Sequence, residues 1–200
     1  MKKIVLASNN KHKIEEIKEI IGDLNIQVLP KSEVGQEDFD VEETENTLEG
    51  NALLKAQGLK DLIGPEYIVI SDDTGLFVDY LNGDPGVHTS RFAGRDHDDE
   101  ANNALMLEKL KGVPLEERTC EFRTVIALVE DGKEPQFVSG ILKGKISEEL
   151  QGNEGFGYDP LFIPEGYDKT FAQLGTHEKN QISHRRRAFN ELYRFLEKNY

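Results

Sequence analysis

The sequence predicts an α/β fold, and three observations predict it. Residues 4–7, a polar turn, an amphipathic run with Ile14, Ile17, Ile20 and Ile21, and then residues 26–29 make a strand–helix–strand unit. Residues 67–70 are a short continuous apolar run, the pattern of a buried strand. Residues 119–147 are β-rich on both sides of Asp131-Gly132, which reads as an antiparallel pair. Both of its strands exceed the usual length, so the expectation is an elongated mixed sheet with flanking helices.

Two hundred residues suit one domain, or one domain with a sub-lobe, and can bury a core without disulfide or metal staples. The single cysteine, Cys120, forms no intrachain disulfide and points to an intracellular protein. Within a predicted strand it is a small buried hydrophobe rather than a reactive thiol. The net charge is −14, from 24 basic and 38 acidic residues. That argues against a nucleic-acid or anionic-membrane surface, which needs a basic footprint. A small anionic substrate stays compatible where lysines or a cation gather locally. The first residues turn polar too quickly for a signal peptide, and no apolar run reaches membrane-spanning length. The expectation is a cytoplasmic protein that binds neither nucleic acid nor membrane.

In chain order, Ser8-Asn9-Asn10-Lys11-His12-Lys13 opens the first helix, and Gly22 stops it. Exposed N–H groups at such a start suit phosphate, and Lys11 and Lys13 add charge. Ordinary capping by Asn10 is an equal reading, and the turn lacks the glycines of a Walker A loop. An acidic loop follows, with Glu37, Asp38, Asp40, Glu42, Glu43, Glu45 and Glu49. Such a run is a solvated face by default, although one carboxylate can reach a shared metal. A helix begins at about Asn46 or Thr47 and buries Leu48, Ala52, Ala56 and Leu59. Lys55, near that stripe, either snorkels to water or points into a cleft.

The strand at 67–70 runs into Ser71-Asp72-Asp73-Thr74-Gly75, an acidic turn at the sheet rim, where open α/β folds hold ligands. Two adjacent carboxylates need compensation, by solvent or by a hard divalent cation. A separate strand over 76–81 ends at Asn82-Gly83. A helix over about 98–111 follows, with Asp98 and Asp99 at its positive end. Gly155-Phe156-Gly157-Tyr158-Asp159-Pro160 sets two aromatics among glycines, as a stacking platform for a planar ring or as a turn with two core aromatics. After Lys179, Ser183 caps a helix that begins His184-Arg185-Arg186-Arg187 and buries Ala188, Phe189, Leu192, Phe195 and Leu196. Three arginines in a first turn oppose the helix dipole, so they are solvated or a ligand offsets them.

Four motifs now stand in order: Ser8 to Lys13, Ser71 to Gly75, Gly155 to Pro160, and Ser183-His184-Arg185. As a set they closely resemble the inosine triphosphate pyrophosphatase family, along nearly the whole chain. The resemblance includes Glu43-Thr44, Asn51-Ala52 with Lys55, and Pro85-Gly86 with Ser90-Arg91. It implies an α/β fold with two lobes around a central cleft, and a homodimer. It implies Mg²⁺-dependent hydrolysis of ITP, dITP and XTP to monophosphate and pyrophosphate, which cleanses the nucleotide pool. Ser8, Asn9, Asn10, Lys11, His12 and Lys13 match the phosphate turn, with Asn10 and Lys13 its key side chains. Lys55, Thr74 and Lys179 match further substrate contacts, and Glu43 and Asp73 match metal ligands. Phe156, Gly157, Tyr158 and Asp159 match the base and sugar pocket, with Phe156 the stacking ring, and His184 and Arg185 match residues that read the 6-oxo edge. Asp73 also matches the proton acceptor. A metal-bound carboxylate is a poor base, so Asp72 stands as the second catalytic candidate.

This chain has Asn9 where many members have glycine and Thr74 where many have serine, which leaves the turn geometry at Asn9 open. The Maf family of nucleotide pyrophosphatases also follows Leu-Ala-Ser with such a turn, but Phe156-Gly157-Tyr158-Asp159 and His184-Arg185 argue against it. A non-catalytic nucleotide sensor is disfavoured by the complete carboxylate set Glu43, Asp72 and Asp73.

Overall fold

Strand β1 (Lys2–Leu6), helix α1 (Lys11–Ile20) and strand β2 (Ile26–Pro30) form the expected first unit. The structure, a computed structural model, describes residues 1–200. The two strands are parallel, with Lys2 opposite Ile26 and Leu6 opposite Pro30. β1 also pairs in parallel with β3 (Tyr67–Val78), from Lys3 opposite Tyr67 to Leu6 opposite Ile70. The other elements are α2 (Leu48–Lys60), β4 (Pro85–Gly86), α3 (Asp99–Lys109), β5 (Thr119–Val129), β6 (Gln136–Ile146), β7 (Phe162–Pro164), α4 (Phe171–Leu174), α5 (Thr176–Ile182) and α6 (His184–Asn199). The hydrogen-bonded order is β2-β1-β3-β5-β6-β7, with β4 on β3. Neighbours β5 and β6 are joined by residues 130–135 alone. That link is too short for a parallel crossover, so they form the predicted antiparallel pair. The sheet is therefore mixed, as the sequence predicts.

One expectation fails in an informative way. Residues 71–75 are not a turn between two strands. β3 runs unbroken through Asp72 and Asp73 to Val78, and residues 79–81 form a 3₁₀ turn instead of a strand end. Aspartate and glycine disfavour strands in isolation, but strand propensity yields to pairing partners. β5 borders β3 along one edge; on the other, β1 supports it as far as Ile70, with Ala7 N–H adding one more bond to the Ile70 carbonyl, and β4 supports it at Leu76 and Phe77. Gly75 permits the second pairing, since a Cβ there would meet the Gly86 carbonyl oxygen at 2.7 Å. Asp72 and Asp73 fall in the gap, just beyond the carboxyl end of β1. The rim position therefore survives, although the turn does not.

The chain divides into two compact units. The first holds residues Met1–Asp73, Thr124–Gly140 and Ala188–Tyr200. Its strands are apolar on both faces and obey the two-residue period. Ile4, Leu6, Ile68, Ile70, Ile126 and Leu128 pack with Ile14, Ile17 and Ile21 and with Phe189, Leu192 and Leu196 of α6. The alternate residues Val5, Val69, Ala127 and Val129 pack with Ala52, Ala56 and Leu59 of α2. So α1 and α6 cover one face, and α2 covers the other. Buried Lys60 ends α2 by donating to the carbonyls of Gly64 (3.1 Å) and Tyr67 (2.9 Å), which ties the helix to the start of β3.

The second unit holds Thr74–Arg123 and Ile141–Arg187. Its core gathers Leu76, Met106, Leu110, Phe122, Leu142, Tyr158, Phe162 and Phe171. Cys120 is buried there, and desolvation pushes its thiol far above the ordinary range, so it is inert as expected. The short elements β4, β7, α4 and α5 had no counterpart in the sequence reading. No helix is long and apolar enough to cross a membrane.

Candidate active site

The two-residue period decides where the adjacent aspartates point. Asp72 continues the series of Ile68 and Ile70, on the face of α1; Asp73 continues that of Val69, on the face of α2. Each meets a lysine from the helix on its own face. Lys13, at the third position of α1, donates to both oxygens of Asp72 at 2.8 and 2.7 Å. Lys55 of α2 donates to Asp73 Oδ1 at 3.3 Å and to Glu43 Oε1 at 2.6 Å. Mutual repulsion of the aspartates is thus relieved by opposite facing and separate cations. Lys55 does not snorkel to water but turns inward to the two carboxylates.

The two carboxylates are not equivalent. Asp72 is buried with both oxygens held by Lys13. Asp73 is equally buried, but its Oδ2 makes no hydrogen bond of good geometry, and the Asn51 amide beside the carboxyl offsets its burial only slightly. Burial pushes the Asp73 carboxyl up from 3.8 to about 6; Lys55 pulls it down and the negative charge of Glu43 pushes it up further. Burial alone would depress Lys55, but Asp73 and Glu43 outweigh it and hold its pKa above the ordinary value.

Glu43 and Asp73 share one ammonium, so their oxygens converge, and the unpartnered Asp73 Oδ2 lacks a positive group. All the donors are hard oxygens. No group of three or more His, Cys, Asp or Glu gathers around a common point. Mg²⁺ binds through one or two carboxylates plus substrate phosphates and waters, so this donor set fits it.

At the start of α1 the capping and anion readings turn out to be compatible. Ser8 Oγ accepts from Asn10 N–H at 3.1 Å, and Asn10 Oδ1 accepts from Lys13 N–H at 3.2 Å. The N–H groups of Lys11 and His12 lie in the first turn, where no helix carbonyl reaches them. Both side chains are exposed. Asn9 does not adopt the left-handed backbone that would favour glycine. Its side chain instead links the turn to Ser32 N–H (3.3 Å) and the Glu37 carbonyl (3.1 Å).

The second unit gathers the other candidates. Tyr158 is buried, and its hydroxyl donates to the Thr89 carbonyl at 3.0 Å; the Phe156 ring is 61% exposed. Only one of the two aromatics is therefore a core residue. Lys179 Nζ lies 4.2 Å from the Phe156 ring centroid, and the Arg185 guanidinium carbon lies 6.0 Å from it. Asp159 is buried and holds both the Lys179 ammonium and Phe156 N–H (2.9 Å) through Oδ2. Gly155 has φ 83°, and a Cβ on it would lie 2.0 Å from that same oxygen, so the turn requires glycine there. Buried His184 stacks on Phe122, with centroids 4.6 Å apart and planes at 18°. Arg185 Nε is buried without a hydrogen-bond partner. Ser183 caps α6 through Arg186 N–H at 3.1 Å, and Arg187 donates to the Ile141 carbonyl at 2.8 Å. Thr74 is half-buried on β3, directly after Asp73.

The Ham1 family profile matches residues 4–195. The chain is 46% identical over 196 residues to a dITP/XTP pyrophosphatase of Caldanaerobacter subterraneus subsp. tengcongensis, covering 98% of this chain and 96% of that one. It is 42% identical over 197 residues to the dITP/XTP pyrophosphatase of Bacillus subtilis, covering 98% of each. Its fold superposes on the Staphylococcus aureus Ham1 protein with a TM-score of 0.89 and 43% identity over the full length of both. A nucleoside-triphosphatase, dITP/XTP pyrophosphatase, of Mycobacterium abscessus gives 0.80 and 39% identity, covering 95% of this chain and 98% of that one. With a profile match across nearly its whole length and identities of this size, the chain belongs to the Ham1 family.

Proposed function

We propose that this chain hydrolyses ITP, dITP and XTP to the nucleoside monophosphate and pyrophosphate, with Mg²⁺ bound by Glu43 and Asp73. That it is a nucleoside triphosphate pyrophosphatase follows from its family. The observation that carries the finer reading is the Glu43–Lys55–Asp73 cluster with its unpartnered buried Asp73 oxygen. Mg²⁺, when bound, would neutralise phosphate charge in a protein of net charge −14. The chain's own residues account for the rest. The first turn of α1 offers N–H groups and Lys13 to the phosphates. A water oxygen bonds to the α-phosphorus while the bond to the β-phosphate bridge breaks. Pyrophosphate leaves with that electron pair, and Asp73 takes the water's proton. A carboxylate that holds Mg²⁺ is a weakened base, but Asp72 is less available to the water, because Lys13 occupies both of its oxygens.

In the base site, Phe156 stacks on the purine and Arg185 donates to the 6-oxo oxygen. Adenine presents an amino donor at that position, which leaves the guanidinium unpaired. An unpaired buried polar group costs ~1–3 kcal/mol, which is roughly ten- to a hundredfold in preference.

Pyrophosphate release measured on ITP, dITP, XTP, GTP and ATP, with Mg²⁺ and with Mn²⁺, tests this. Turnover is expected on the first three. Its absence on all of them would overturn the assignment. Arg185→Ala should narrow the ITP-to-ATP ratio of kcat/KM by roughly tenfold or more; an unchanged ratio would remove Arg185 from base reading.

A further inference from the structure

Gly157 is gripped on both sides by one helix. Its N–H donates to Asp99 Oδ2 at 2.7 Å, and its carbonyl accepts from Asn103 Nδ2 at 2.9 Å. Asp99 opens α3 and Asn103 stands four residues later, so the two side chains are neighbours on the helix surface. The preceding N–H, that of Phe156, is taken by Asp159. Two consecutive peptide groups are thus held by carboxylates from two directions, and buried Tyr158 pins the next residue. The ring carried on this fixed backbone is the 61% exposed Phe156.

Packing alone does not explain the grip. Asn103 is buried, yet its Oδ1 has no partner. Such an orphan costs ~1–3 kcal/mol, a penalty that an apolar side chain would avoid. What the amide provides in return is a directed bond to the residue beside Phe156. A stacking ring contributes most when its backbone is already ordered, because binding then loses less entropy.

We propose that Asp99 and Asn103 are positioning residues of the base site, which fix Gly157 and so hold Phe156 as a preformed platform for a purine ring. This rests on the base-stacking role given to Phe156 above. Neither residue touches the base; both act through the Gly157 main chain. The consequence is selective: base affinity depends on the grip, and affinity for the phosphate chain does not.

The chain contains no tryptophan, so Phe156→Trp introduces a single indole reporter on the platform. In that background, inosine 5′-monophosphate should quench the emission. Adding Asp99→Ala should weaken this binding about tenfold, and Asp99→Asn, which keeps an acceptor oxygen, should recover most of it. Asn103→Ala should weaken it in the same direction. Calorimetric affinity for inorganic tripolyphosphate with Mg²⁺ should stay within about twofold in every variant. Amide hydrogen exchange of the segment 152–160 should accelerate in Asp99→Ala. Unchanged monophosphate affinity in both Asp99→Ala and Asn103→Ala would overturn the proposal. Equal weakening of monophosphate and tripolyphosphate would also overturn it, as general loosening of the fold. If the Phe156→Trp parent itself is not quenched by inosine or xanthosine monophosphate, the platform reading has failed before the grip is reached.

Discussion

Asp73→Asn is expected to lower kcat on ITP by about a thousandfold while leaving the protein folded. General-base catalysis alone is worth roughly 10²–10⁴, and the same carboxylate is the proposed metal ligand. Stability should move the other way. Asp73 is buried with one oxygen unpartnered, and its carboxyl sits at about 6 in the metal-free fold against 3.8 in a free chain. The native state therefore binds this proton more tightly than the unfolded state does. As pH rises from about 4 to about 6, the unfolded carboxyl ionises first, and the metal-free protein loses stability. By pH 7 the penalty is complete, and it corresponds to about 3 kcal/mol for a rise from 3.8 to about 6. Asn at this position removes the charge. The variant should thus match or exceed wild type in Tm at pH 7 without metal, and gain less at pH 4.5. It should also lose most of the Tm increase that Mg²⁺ gives the wild type. Unchanged turnover would remove Asp73 from the reaction, and a collapse in Tm would mean the carboxylate is structural. Asp72→Asn provides the contrast: its main effect should be on KM, through the release of Lys13.

Why the aspartates differ was nearly legible in the sequence. Once β3 is continuous, period-two alternation puts neighbours on opposite faces, and the lysines of α1 and α2 follow. The obstacle was local. Asp-Asp-Thr-Gly has the composition of a turn, and its strand conformation comes from segments distant in sequence: β5 borders β3 along one edge, and β1 and β4 flank the stretch on the other. The cap Asn10 was legible because caps act within a few residues, and the helix starts read near Thr47 and Asp98 fall at the observed caps of α2 and α3. The residues alone do not choose between Phe156 and Tyr158 as the exposed ring, because Tyr158 is buried by a core assembled from distant segments; only the family resemblance points to Phe156. The α3 grip left one trace, an acid and an amide four residues apart, but Asp99 is equally well explained as a dipole complement. β4, β7 and α4, with 2, 3 and 4 residues, are too short to show any periodicity.

Arg118→Met should cost the protein about 2 kcal/mol or more. Arg118 is buried, and its guanidinium donates only to main-chain carbonyls: Val113, Ser147 and Leu110, each at 2.9 Å. No carboxylate shares the site, so this is a cation satisfied by dipoles. Methionine fills similar volume but orphans two carbonyls, those of Val113 and Ser147, because Leu110 keeps the Val113 N–H at 3.0 Å; each orphan costs ~1–3 kcal/mol when buried and unpaired. Relief from desolvating the charge offsets part of that sum, which is why the lower end is the expectation. In a chain of this length the loss corresponds to a Tm lower by about 5 °C or more. Lysine should recover only part of it, since an ammonium lacks the planar fork that reaches three carbonyls at once. Leu110 is the C-terminal cap of α3, so the guanidinium also faces the negative end of that helix dipole. The other end of α3 carries Asp99. A functional signature follows, to be measured at a temperature where Arg118→Met is still folded. Affinity for inosine 5′-monophosphate should fall before affinity for inorganic tripolyphosphate does, because the helix that loses its anchor is the one that grips Gly157. A Tm within about 2 °C of wild type would show that water replaces the guanidinium at the three carbonyls, and that α3 is held by its apolar contacts alone.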